Sequence, residues 1–557
     1  MTEEEQRDLG KRVPKNMSNS VATIELLAAF GKSLPPILPD FLAQRRWFGS
    51  KARVIQSVEV LDVVPLLSND PLVYLFLIHI EYATGLGEVY ALPLRLAIDE
   101  EQSPGGEPAP SLRINRESSS GKMVLYDALS NQPFLTFLLG AISRGDRFPG
   151  VRGEVRAVSG AALCSMWEPS QGPLAPSLMK AEQSNSSVVY SNRLVLKLFR
   201  RLEEGLNPDL EIGSFLTERT EFRNAPTLAG HLEYVSNEGK RITLGILQGY
   251  IPNHGDAWQY TLKALAPYYE QAQSAAGIRL EKLPHAPILA LAEGEVPPEA
   301  KQRIGSYLES ARLLGVRTAQ LHVALSIAQD QAAFAPEPFT EANQRELVKS
   351  ALDLIARTFH SLRQQSERLS QGVREEASEV VKLEEGLRQR VHLLEGFKIS
   401  AMRTRIHGDY HLGQVLFTGD DFVIIDFEGE PARPLSERRN KNSPLQDVAG
   451  MLRSFHYAAY APLLGEITGP QVTQERLNAL DVWAQYWQTW VSATFLKTYL
   501  RTSGSASFVP QSREELAVLL DTYVITKAVY ELGYELNNRP SWLRIPLQSV
   551  SKLLDAA

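Results

Sequence analysis

The chain has 557 residues, 44% of them hydrophobic and 22% charged. That balance excludes a disordered chain and supplies apolar surface for two to four packed units. A formal charge of -7, with no long basic run, argues against nucleic acid as a partner, because phosphate binding needs a dense cationic surface that displaces counterions. The single cysteine, Cys164, excludes an intrachain disulfide. With no thiol-protease signature around it, it reads as a small buried hydrophobe.

The opening MTEEEQRDLGKRVPKN is acidic and polar where a signal peptide is basic and then apolar. The most apolar stretch, Leu72 to Ile80, falls far short of the ~20 residues that span a bilayer. No membrane association and a cytoplasmic location are expected. Residues 1–20 read as a flexible tail. Val54 to Val64, Val73 to Tyr82 and Val89 to Leu96 are rich in β-branched and aromatic residues. Turn residues separate them at Ser68-Asn69-Asp70-Pro71 and Thr84-Gly85-Leu86-Gly87, which predicts an antiparallel sheet. Gln102 to Ser111 (QSPGGEPAPS) is a loop by composition.

A second strand-rich region follows. Val188-Val189-Tyr190, a Ser191-Asn192 turn and Leu194 to Phe199 predict a hairpin, and Leu232 to Val235 with Ile242 to Leu247 predict another. Between them Asn207-Pro208-Asp209 is a helix start: an Asn cap, Pro at the first helical position and an acid in the first turn. From about 255 onward the periodicity is helical. Val348, Leu352, Ile355, Phe359 and Leu362 make one apolar stripe, and Val380, Leu383, Leu387, Val391 and Leu394 another after a break at Gln371-Gly372. They predict an antiparallel helix pair rather than a coiled-coil arm, since each helix holds only about three heptads.

Chemistry concentrates in RTRIHGDYHLGQVLFTGDDFVIIDFEGEP, which begins at Arg403. Val415 to Phe417 and Phe422 to Ile425 predict a hairpin with Asp409 and Gln414 on the loop before it and Asp426 at its end. Phosphoryl transfer needs a group that accepts the nucleophile's proton, and divalent metal to offset the triphosphate's charge. Asp409 fits the base. Gln414, five residues on, offers an amide oxygen and Asp426 a carboxylate to Mg²⁺, a hard cation that takes oxygen ligands. Glu428 is a further candidate carboxylate near the metal. Paired carboxylates for glycoside hydrolysis are the alternative chemistry, which leaves Gln414 without a role. His407 reads as a strut bonding backbone carbonyls, His411 has no assigned role, and Asp420 and Asp421 read as solvated turn residues.

Upstream, Lys197 interrupts the apolar strand Leu194 to Phe199 and is expected on ATP phosphates, with Glu211 as its ion-pair partner and Glu218 as the alternative. Gln183, Ser184, Asn185, Ser186 and Ser187 stand where a phosphate-covering loop belongs, though without glycine.

These residues together resemble bacterial maltokinase, a branch of the aminoglycoside-phosphotransferase-like kinases. The similar segments are LPDFLAQRRWFGSKAR from Leu38, EQSNSSVVYSNRLVLKLFRRLEEGLNPDLE from Glu182, HGDYHLGQVL, IIDFEGEPARPLSERRNKNSPLQDVAGMLRSFHYAA, and YELNNRPSWLRIPL from Tyr534. The resemblance implies an α+β, bilobal protein-kinase-like fold: a β-rich N-terminal lobe with an extra cap subdomain, and a mostly helical C-terminal lobe. The expected divisions are a cap at 21–125, an intermediate nucleotide-binding subdomain at 126–252 and a helical lobe at 253–557. It implies Asp409 as base, Gln414 and Asp426 as metal ligands, and a hinge at Leu247 to Ile251 that meets adenine through backbone groups, Gln248 and Tyr250 among them. Tyr530, Glu531, Tyr534, Asn538 and Arg539 would hold the sugar. The implied reaction moves the γ-phosphate of ATP to the anomeric hydroxyl of maltose, giving maltose 1-phosphate for α-glucan building. A related kinase of glucosamine or an aminoglycoside, and a pseudokinase scaffold partnering trehalose synthase, are the competing expectations. The segments 270–300 and 343–397 look like insertions relative to compact family members.

Overall fold

The computed structural model describes residues 30–67, 72–98, 111–118, 121–179, 184–274, 280, 282–464 and 474–554. The predicted tail, the Ser68–Pro71 turn, the loop up to residue 110 and Gln183 lie outside them. The chain divides into two compact units, residues 1–219 with 226–251, and residues 220–225 with 252–557.

The first unit holds two antiparallel sheets. In the first, β1 (Ile55–Leu67), β2 (Leu72–Tyr82), β3 (Glu88–Ile98), β4 (Ser111–Ser118) and β5 (Gly121–Asp127) run in the order β1-β2-β3-β5-β4. Strand β2 is apolar throughout because both its faces are covered. Tyr74, Phe76, Ile78 and Ile80 pack with the short helix α1 (Leu38–Ala43) and with Trp47 and Phe48. Val73, Leu75 and Leu77 turn the other way, into a core shared with α2 (Gln132–Arg144). Side chains alternate at period two, so only a strand buried on both faces reads as one apolar run.

The second sheet contains β6 (Arg147–Pro149), β7 (Gly153–Ser159), β8 (Pro176–Leu178), β9 (Asn185–Tyr190), β10 (Leu194–Phe199), β12 (Leu228–Ser236) and β13 (Arg241–Gly249), in the order β6-β7-β12-β13-β10-β9-β8. The two-residue β11 (Arg201–Leu202) crosses to pair with β3. Asp62 also ties the sheets: buried on β1, it accepts the Val151 and Arg152 N–H groups at 3.0 Å and the Tyr234 hydroxyl at 2.8 Å. The predicted Ser191-Asn192 turn forms with both residues at positive φ (47° and 53°) and Arg193 N–H donating to Tyr190 O, a type I′ turn that matches strand twist. Helix α3 (Pro208–Arg219) starts as expected, its Asn207 side chain accepting the Asp209 N–H at 2.8 Å. Cys164 corrects its expectation. It is exposed, on a four-residue helical turn whose buried member is Leu163.

The second unit is mostly helical. Helices α4 (Ala257–Ser274), α5 (Tyr307–Leu325), α9 (Leu445–Leu464), α10 (Gln474–Ser503), α11 (Arg513–Asn538) and α12 (Arg544–Leu553) carry its core. Helices α5 and α10 approach so closely that a Cβ at Gly315 would lie 2.5 Å from the Phe495 carbonyl oxygen. The first helix of the predicted pair is α6 (Glu341–Gln365), opened by a Thr340–Asn343 capping box. The second is not one helix. It breaks at Lys382-Leu383 into α7 (Gln371–Val381) and α8 (Glu384–His392). Neither part is a free arm: α6 packs on α11, α7 on α12, and Arg390 of α8 meets Asp521 of α11 at 2.8 Å. The short strands β14 (Glu337–Pro338) and β15 (Met402–Arg403) pair ahead of the chemical loop, and β16 (Val415–Phe417) pairs with β17 (Phe422–Ile424) after it. No helix among the described residues is long and apolar enough to cross a membrane.

Candidate active site

One face of α9 holds the loop His407–Gln414. Asp447, fully buried, accepts the His407 N–H at 2.8 Å and the Gly408 N–H at 2.9 Å, and pairs with His322 Nε2 of α5 at 3.0 Å. One turn on, Gly450 leaves room for the loop, since a Cβ there would stand 2.5 Å from the Tyr410 carbonyl oxygen. Ser454 Oγ accepts the Leu412 N–H at 3.0 Å. Positions 447, 450 and 454 follow the i, i+3, i+7 spacing of one helix face. Burial alone would raise the Asp447 pKa. The hydrogen bond and charge of His322, with the Gly408 N–H, hold it below the usual carboxylate range.

His407 is the expected strut. Its Nε2 bonds the Ile425 carbonyl at 2.9 Å, and its Nδ1 accepts the Asp409 N–H at 3.4 Å. The loop's supporting hairpin is held more firmly than its sequence suggests. Asp421, expected as a solvated turn residue, receives both Arg317 Nε at 2.8 Å and Nη2 at 2.6 Å, and the Asn224 amide at 3.1 Å. A bidentate guanidinium–carboxylate pair fixes orientation as well as charge. Asp420 is exposed, as expected.

Asp409 opens on a cavity of about 620 Å³, lined also by Glu430, Arg433, Tyr523, Lys527 and Tyr530, with α6 forming another wall through Asn343, Glu346 and Leu347. Its carboxylate is 21% exposed, with Lys527 Nζ at 3.8 Å and His411 Nε2 at 3.9 Å. Tyr530 stays a neutral phenol: burial raises its pKa, as do its hydrogen bond to Glu430 and the nearby charges of Glu430 and Asp409. Such a mixture of aromatic faces, carboxylates and donors suits a polyhydroxylated ligand.

Gln414 and Asp426 meet across the hairpin. Gln414 Nε2 donates to Asp426 Oδ2 at 2.8 Å, which turns the Gln414 amide oxygen away from that contact. Asp426 adopts φ 65°, a left-handed conformation that few non-glycine residues take. The pair presents hard oxygen donors and no sulfur or imidazole, which fits Mg²⁺. Glu428 follows two residues on, its carbonyl bonded to Arg438 Nη1 at 3.0 Å.

In the first unit, Lys197 lies on the face of β10 opposite Leu194 and Leu196, as strand alternation requires. Asp209, which the sequence marked only as a first-turn acid of α3, meets Lys197 Nζ at 3.0 Å and is 1% exposed. Glu211, two residues further along the same helix turn, is also buried. Glu218 is exposed at the far end of α3, too distant along the helix to serve as the alternative. The predicted phosphate loop is also corrected. Asn185, Ser186 and Ser187 belong to strand β9, where Ser187 sits in register with Lys197 and Ser186 Oγ accepts from Arg200 at 2.9 Å. Of the predicted loop, Ser184 is the one described residue ahead of the strand. At the predicted hinge, the Gly249 N–H donates to Thr227 O at 2.9 Å and the Tyr250 N–H to Arg193 O at 2.8 Å. Those two amides are spent within the unit, while Gln248 pairs with Val195 and Leu228 in the sheet register.

Of the five expected sugar contacts, only Tyr530 lines the cavity. Glu531 is drawn into a nearly buried pair with Arg453 at 2.7 Å. Arg539 binds Glu535 through two nitrogens, and the Asn538 amide donates to the Tyr534 carbonyl one turn back. Tyr534 stacks on Tyr530 at 6.4 Å but faces outward. The physical reason is direction: the cavity meets α11 at Tyr523, Thr526, Lys527 and Tyr530, and each further turn carries the helix about 5.4 Å away. Asp209, Glu430, Asp447, Gly450 and Lys527 are the site residues that sequence reasoning missed.

Residues 41–130 match the maltokinase N-terminal cap domain family. A glucosamine kinase from Mycolicibacterium smegmatis is 24% identical over 377 residues, 67% of this chain and 78% of that one. A glucosamine kinase from Streptacidiphilus jiangxiensis is 25% identical over 154 residues, 27% of this chain and 31% of that one. Among solved structures, a glucosamine kinase in complex with glucosamine, ADP and inorganic phosphate superposes with TM-score 0.57 at 17% identity, covering 92% of this chain and 98% of that one. A second crystal form of glucosamine kinase gives TM-score 0.57 at 18% identity, covering 93% and 99%. The chain therefore has an α+β kinase-like fold, with an antiparallel-β N-terminal region that includes the cap domain and a helical C-terminal region.

Proposed function

We propose that this chain is an ATP- and Mg²⁺-dependent sugar kinase, with maltose as acceptor and maltose 1-phosphate as product, a unit for α-glucan building. The observation that carries the kinase reading is the Asp409 loop. It is pinned by Asp447, and its carboxylate opens on a cavity lined by aromatic and polar groups. Asp409 takes the proton of the attacking hydroxyl. Lys197, with Asp209 beside it, holds nucleotide phosphates. Gln414 and Asp426, with Glu428 near, would hold Mg²⁺, which would supply countercharge to the triphosphate. The narrowing to maltose rests on the cap-domain match at 41–130 and on the FEGEP to SPLQDVAGMLRSF run. The names of the relatives favour a second acceptor, glucosamine.

An acceptor panel of maltose, glucose and glucosamine, read as ADP release and as loss of reducing ends, separates these. Phosphorylation at C1 blocks the aldehyde, so ADP release from maltose must come with reducing-end loss. ADP release with reducing ends intact sinks the anomeric assignment, and turnover of glucosamine alone replaces maltose.

A further inference from the structure

Helix α11 sets a cation beside the candidate base. Lys527 Nζ is 3.8 Å from Asp409 Oδ1, beyond hydrogen-bond length, and 5.1 Å from the centroid of the Tyr530 ring. Its side chain is 29% exposed and lines the same cavity as Asp409 and Glu430. Among the described residues the ammonium has no hydrogen-bond acceptor, so its three donors are unspent. The other cavity cations differ. Arg403 and Lys441 both bind Glu337, Arg433 pairs with Glu430 at 3.4 Å, and Arg357 sits exposed on α6.

A lysine serving only to neutralise Asp409 would close to hydrogen-bond distance, as Lys197 does with Asp209 at 3.0 Å. Lys527 instead stands off, propped along the Tyr530 face by a cation–π contact. That leaves an ammonium pointing at the space where an acceptor hydroxyl would have to lie to give Asp409 its proton.

We propose that Lys527 is a catalytic residue that contacts the phosphoryl group in flight. The proposal rests on the kinase reading above. In the transfer, the acceptor oxygen forms a bond to the γ-phosphorus as the bond from that phosphorus to the ADP oxygen breaks. The electron pair of the broken bond leaves with ADP, and the acceptor proton passes to the Asp409 carboxylate. The phosphoryl oxygens thus approach a carboxylate that is anionic until it takes the proton. Lys527 donates to those oxygens and offsets the repulsion between the two anions, an interaction strongest in the transition state.

The test uses the full chain with Lys527→Met, Lys527→Arg and Lys527→Ala, and the best sugar of the acceptor panel. Lys527→Met should lower kcat by about 10²–10³-fold, the loss seen when one donor to a developing charge is removed, with little change in KM for sugar or MgATP. Lys527→Arg should recover part of the rate. Methylammonium added to Lys527→Ala should restore turnover in a saturable way, which a purely structural lysine would not show. A rise in sugar KM with kcat unchanged would assign Lys527 to acceptor binding and overturn the proposal, as would Lys527→Met and Lys527→Ala at the wild-type rate. A wild-type chain inactive on every sugar would bring down the kinase reading and this proposal together, whereas an active wild type with unimpaired variants brings down the proposal alone.

Discussion

Asp447→Asn tests whether α9 truly holds the catalytic loop. The native carboxylate accepts two backbone N–H groups and pairs with His322, in a site closed to water. Asparagine keeps one acceptor oxygen and replaces the other with an NH₂ group. One of the two N–H groups, His407 or Gly408, then faces a donor instead of an acceptor. A buried donor left unmade costs about 1–3 kcal/mol, and the surviving bonds lose charge assistance worth about another 1 kcal/mol. The sum is about 2–4 kcal/mol, or a fall of roughly 3–6 °C in melting temperature for a unit of this size. The effect should also be local. Hydrogen exchange followed by mass spectrometry should show the His407 and Gly408 amides exchanging about 30- to 700-fold faster, since each 1.4 kcal/mol is a factor of ten. Sugar phosphorylation should drop about 10²-fold with the loop displaced by an ångström. Unchanged exchange at those two amides, alongside an unchanged melt, would show that Asp447 does not anchor the loop.

Asp409→Asn should cut turnover by about 10²–10⁴-fold while leaving the melt near wild type, because its side chain is part-exposed and stands 3.8 Å or more from its charged neighbours Lys527 and His411; an unaltered rate removes it as base. Gly450→Ala should lower both stability and rate, since the added Cβ meets the Tyr410 carbonyl at 2.5 Å, and a variant with wild-type kinetics would show that the loop tolerates displacement. Acid should weaken the second unit through Asp447. Its folded pKa is depressed, so its contribution is complete above the unfolded carboxylate value of about 3.9 and drains as pH falls through the lower folded value. Melts of wild type and Asp447→Asn should therefore converge below about pH 4, and parallel curves down to pH 2 would contradict the linkage. Cys164 should react with a thiol reagent at one equivalent without denaturant, and silence until unfolding would contradict its exposure.

What the sequence made legible was local. The hairpin at Ser191-Asn192, the cap at Asn207, the loop–hairpin order from His407 to Asp426 and the strut role of His407 each depend on a few consecutive residues. Their physics is contained in turn and capping chemistry. What stayed hidden required knowing which helix face meets which loop. Asp447, Gly450 and Ser454 stand at helical spacing in plain view, yet nothing in that spacing says that loop 407–414 lies opposite. Nor does the sequence say which turns of α11 line the cavity, and beyond Tyr530 the helix turns away from it, with Glu531 and Arg539 in ion pairs. The break at Lys382-Leu383 was masked because the apolar stripe continues across it.

Backbone strain separates Asp426 from the other acids of the loop. Among the described residues, three non-glycine positions take positive φ. Ser191 and Asn192 do so because a type I′ turn demands it of both central residues. Asp426 has no hairpin turn to build: it follows the last strand residue, Ile424, by two positions, at the point where the chain leaves the sheet. The left-handed conformation costs an L-residue about 1–2 kcal/mol, less for aspartate, and Asp426 is only half-buried. Glycine would relieve that strain but would remove the carboxylate that receives Gln414 Nε2. A fold selected for stability alone would put glycine or asparagine at this position. An aspartate held there is oriented by the Gln414 amide, as the proposed Mg²⁺ site requires.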